Sequence, residues 1–90
     1  MVMKLWLLRP VDVLPDSDNP WSPWYDKVFG FVVRAETEDT ARLIAHEHSG
    51  NETGHYGKVF DPWLSEKYST CVELSPDGNQ EMIICDFRSA

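Results

Sequence analysis

Long apolar runs are missing from this chain: the two longest, Leu5 to Leu8 and Met82 to Cys85, fall far short of the roughly 20 residues a helix needs to cross a bilayer. A membrane-spanning helix is excluded. Lys4 ahead of Leu5 to Leu8 imitates the start of a signal peptide, but Arg9 and Pro10 end the run and no small-residue cleavage site follows. The mature chain is therefore expected to begin near Met1 and to reside in the cytoplasm. Cysteine is scarce, with only Cys71 and Cys85, in different apolar segments, so two buried free thiols are the ordinary reading and a disulfide between them the lesser one. Asn51-Glu52-Thr53 matches the glycosylation pattern, which carries no weight without a secretory signal.

Positive charge is scarce too. Eight Lys and Arg stand against fifteen Asp and Glu, a formal net charge of -7, which argues against nucleic acid or an anionic membrane as a direct partner. A protein partner with a basic surface fits this balance; simple solubility is the plainer explanation. Five glycines form no phosphate-binding loop, and no cofactor is expected.

What is present is enough for one small core. Ninety residues with 42% hydrophobic content fit a single domain spanning 1–90. Val2 to Leu8 reads as a strand covered on both faces, with Met3, Leu5 and Leu7 on one and Trp6 and Leu8 on the other. Arg9 to Lys27 holds four of the six prolines and reads as a long loop. Lys27 to Ala35 alternates as a second strand, in which Gly30 suggests a bulge or the close approach of a neighbouring ring.

Thr37 is a good N-cap for a helix running to about His48, with Glu38 and Asp39 in its first turn. Ala41, Ile44, Ala45 and His48 form its inward stripe, and Ser49-Gly50 ends it. An irregular polar connection through Tyr56 follows, and Asp61-Pro62-Trp63-Leu64 looks like a short capped turn. Ser69 to Leu74 and Glu81 to Phe87 then read as an antiparallel hairpin around Ser75 to Gln80. The expected fold is α+β: a mostly antiparallel four-stranded sheet in the order β-β-α-β-β, with one helix on one face.

Several residues invite chemistry. His46, His48, His55, Cys71 and Cys85 include zinc-ligand types, but His46 and His48 point about 200° apart on a helix, and the cysteines lack C-x-x-C spacing. Cys71 has neither a helix N-terminus nor an adjacent cation in sequence to activate it as a nucleophile. No catalytic or metal-binding residue is therefore assigned, although a small enzyme or metal-binding protein using His46, His55 and Cys71 is the rival class. The most distinctive stretch is Asn19 to Asp26, where Trp21, Trp24 and Tyr25 sit between prolines. Either they fold back as a layer on the sheet face opposite the helix, or they anchor a partner.

The runs Lys4 to Pro10, Pro23 to Lys27, Phe29 to Glu36, Ala41-Arg42, Trp63-Leu64 and Ser69 to Cys71 together resemble a group of short bacterial and phage-type proteins. That resemblance implies a bacterial or phage cytoplasm and transfers no activity, substrate or cofactor. The functional expectation is a non-catalytic, acidic interaction protein. Its binding residues would be Trp21, Trp24, Tyr25, Asp12, Asp16, Asp18, Glu36, Glu38 and Asp39, and one version is a phage-derived inhibitor of a host nucleic-acid-binding defence system. A homodimer formed through a sheet edge or the Trp-containing loop is the remaining alternative.

Overall fold

The computed structural model describes residues 2–11, 14, 21, 28, 30–49, 54–55, 58–59 and 61–86. Strand β1 (Lys4–Pro10) lies at the centre of a three-stranded antiparallel sheet, flanked by β2 (Phe31–Ala35) and β5 (Ser69–Leu74). Helix α1 (Glu38–His48) packs on one face, and two short strands, β3 (Gly54–His55) and β4 (Lys58–Val59), pair separately. The α+β class therefore holds. Among the described residues the sheet has three strands rather than the four expected.

Register assigns each side chain to a face. Trp6 pairs with Val33 and Leu8 with Phe31 on one side of β1, while Leu8 pairs with Cys71 and Pro10 with Ser69 on the other. By alternation, Trp6, Leu8, Phe31, Val33, Ala35, Ser69 and Cys71 share the face beneath the helix. Leu5, Leu7, Arg9, Val32, Arg34, Val72 and Leu74 share the opposite face, called the outer face below.

The first face carries the core. Leu8, Ala41, Ala45 and Trp63 have no exposed surface, and Trp6, Val33 and Ala35 are buried with them. The two alanines let α1 approach the sheet closely. Cover on both faces of the first strand is not what is found. Leu5 and Leu7 remain half-buried on the outer face, and their neighbours Val32 and Val72 are 58% and 56% exposed.

The helix forms where capping places it. Thr37 Oγ1 accepts from Thr40 N at 3.3 Å, and Ser49 closes the other end with its N–H and hydroxyl both donating to His46 O. His48, expected on the inward stripe, is exposed instead, with Nδ1 donating to Ile44 O at 2.9 Å. Pro62–Leu64 forms a single 3-10 turn that delivers Trp63 to the core, with no side-chain cap from Asp61.

The predicted C-terminal hairpin fails in its second arm. Strand β5 matches Ser69 to Leu74, but Glu81 to Asp86 is not strand, and Phe87 lies outside the described residues. Asp86 is drawn elsewhere: Arg9 Nη1 donates to its Oδ2 at 3.0 Å. Ile84 and Asp86 border a cleft with Leu7, Gly30 and Val32, so the segment reaches the outer face over β1 and β2, away from the edge of β5. The second strand is also shorter than its alternation suggested. Val28 and Gly30 precede it outside the strand, and Lys27 and Phe29 lie outside the described residues.

Candidate functional site

The strongest polar feature is Arg42, a helix residue that is only 6% exposed. Its Nη1 donates to Trp63 O at 3.1 Å and to Ser69 Oγ at 2.8 Å, its Nη2 to Ser69 O at 3.2 Å, and its Nε to Glu38 Oε2 at 2.9 Å. Ser69 Oγ in turn donates within the loop behind it, lying 2.7 Å from Pro62 O and 3.0 Å from Ser65 O. One guanidinium thus joins α1, the 3-10 turn and β5. Its planar fork of donors suits a cluster of carbonyls that a lysine could not serve together.

This cluster holds structure and carries no reactive group. Ser69 is fully buried, with its hydroxyl committed to carbonyls. Burial pushes the Cys71 thiol above its ordinary range; the Arg42 guanidinium opposes that and the Glu38 carboxylate adds to it. A thiol held in its neutral form is a poor nucleophile at neutral pH. Among the described residues no three His, Cys, Asp or Glu side chains are grouped to hold a metal ion.

The aromatic anchor divides. Trp21 is 1% exposed, its Nε1 donates to Tyr68 O at 2.9 Å, and its ring meets Trp63 edge-on with centroids 4.9 Å apart. Phe31 meets Trp63 edge-on at the same separation. Trp21 is therefore a core residue without a face to offer a partner. It also packs in the cluster beneath the helix, not on the opposite sheet face where a second layer was expected. Trp24, Tyr25, Asp12, Asp16 and Asp18 lie outside the described residues.

The three remaining acids fall at one end of the helix. Glu38 and Asp39 are exposed in its first turn and Glu36 is half-buried just before the cap. Glu38 is engaged by Arg42, so Glu36 and Asp39 carry the outward charge. The sequence reading missed two neighbours, Leu43 and Glu47, which are both exposed. Spacing of four places Asp39, Leu43 and Glu47 along one stripe. The signal was available: Leu43 falls off the inward stripe. What hid this stripe was Arg42, which in sequence offsets the helix acids but in space is turned inward.

No family model, curated protein or solved structure matches the chain.

Proposed function

We propose that this protein is a non-catalytic interaction protein whose acidic helix face docks on a basic protein surface. The observation that carries this reading is the inward burial of Arg42, the one Lys or Arg in α1. Its removal from solvent leaves Asp39, Leu43 and Glu47 as an outward stripe with an apolar centre and acidic ends. Such a stripe suits a helix laid against a groove, with Leu43 as the anchor and carboxylates on the rim setting approach and register.

A concrete version is an inhibitor that occupies a nucleic-acid-binding protein, its carboxylates standing where phosphates would lie. The overall charge of -7 gives the same sign to the long-range field and speeds encounter with a basic partner. Affinity capture from a bacterial lysate tests the reading, using the whole chain and the triple variant Glu36→Lys, Asp39→Lys, Glu47→Lys. The wild type is expected to retain a partner at low salt and release it as salt rises, and the variant to retain none. Equal retention by both would refute the assignment.

A further inference from the structure

The outer face carries two clefts of like composition, side by side along β1, and the chain itself fills the border of one. The first is floored by Leu7 and Val32, with Arg9 at its edge and Ile84 and Asp86 of the C-terminal segment along its side. Arg9 lies across Gly30: a Cβ there would meet Arg9 Cδ and Nη1 at 3.1 Å. The close neighbour of Gly30 is thus a guanidinium stem, not a ring. Gly30 lets Arg9 lie flat and reach Asp86 at 3.0 Å.

The second cleft, of about 230 Å³, is lined by Val2, Met3, Leu5, Leu74 and Pro76, with Arg34 at its edge. Lys4 and Glu73 also border it and neutralise one another at 3.5 Å. Arg34 is exposed, and among the described residues it has no ion-pair partner. An aliphatic floor with one arginine is therefore satisfied in the first cleft by Ile84 and Asp86. Among the described residues the same combination is open in the second.

We infer that the Leu5, Leu74 and Arg34 cleft binds an extended segment of a partner protein in which an aliphatic residue is followed two positions later by a carboxylate. The aliphatic side chain would cover Leu5 and Leu74 and the carboxylate would pair with Arg34, as Ile84 and Asp86 do beside Leu7 and Arg9. This surface is separate from the acidic helix face and opposite to it in charge. Its recognition rests on a charge-assisted hydrogen bond beside apolar contact, both of which an isolated peptide can supply.

The test uses a fluorescent peptide with the sequence of residues 81–86, serine replacing Cys85, titrated with the full-length protein and followed by anisotropy. Binding is expected to weaken about tenfold or more in Arg34→Glu, as loss of a desolvated charge pair requires, while Asp86→Asn binds as the wild type does. Matching melting curves for the variants confirm that both are folded. A peptide with Ile84 and Asp86 replaced by serine and asparagine is expected not to bind. No binding up to millimolar peptide, or equal binding by Arg34→Glu, would overturn the proposal. So would loss of binding in Arg9→Ala alone, which would place the peptide in the first cleft. Dimerisation of the free chain, abolished by Arg34→Glu in light scattering, would assign the cleft to a second copy and overturn the partner.

Discussion

Replacing Arg42 with alanine removes the donor that Trp63 O and Ser69 O share inside the core, and the cost follows from which partners water can reach. The Glu38 side chain is 46% exposed, so its carboxylate rehydrates and that ion pair contributes no more than about 1 kcal/mol. Ser69 Oγ keeps its own bonds to Pro62 O and Ser65 O. Trp63 O and Ser69 O each lose a guanidinium donor inside the core, and a buried polar group that loses such a bond costs about 1–3 kcal/mol. Arg42→Ala should therefore destabilise the protein by about 3 kcal/mol, a large part of the roughly 5–13 kcal/mol available to a domain of this size. Melting should fall by about 12–24 °C. Urea titration checks this: the midpoint should drop with the slope unchanged. Glu38→Gln should cost less than about 1 kcal/mol, and Arg42→Lys should lie between, since one ammonium cannot span both carbonyls. If Arg42→Ala unfolds within about 0.5 kcal/mol of the wild type, or Glu38→Gln costs as much, the role of the fork is refuted.

Three further outcomes are expected. Trp21→Ala should cost about 3–5 kcal/mol, because it empties a core site against Trp63, and a cost under about 1 kcal/mol would mean that Trp21 is not packed there. With a disulfide reagent near neutral pH, exposed Cys85 should react at least about tenfold faster than Cys71, whose thiol is held neutral by burial; equal rates would contradict that burial. Gly30→Val should push Arg9 aside and break its ion pair with Asp86, read as faster proteolysis within Glu81 to Asp86 with little change in the core melting transition.

Much of the fold was legible because it rests on local rules. The Thr37 cap, the Ala41 and Ala45 stripe, the alternation of β1 and the Pro62 turn each declare themselves within a few residues. What escaped depends on distance. Glu81 to Phe87 has the composition of a strand, yet Glu81 to Asp86 is not one, and its Asp86 pairs with Arg9, 77 residues away. The β3 and β4 pair is two residues a side, too short for alternation to register. Of the candidate site, Glu36 and Asp39 were named from helix charge, while Leu43 and Glu47 joined it only once Arg42 was seen to turn inward.

The central claim is that a basic partner covers the outward stripe of α1. Carboxylate footprinting by mass spectrometry, on the whole chain with and without the partner retained at low salt, tests it most directly. The account predicts that Glu36, Asp39 and Glu47 lose reactivity in the complex while exposed Asp77 and Glu81 keep theirs. Unchanged labelling of the three helix-side acids, with the partner demonstrably bound, would contradict it.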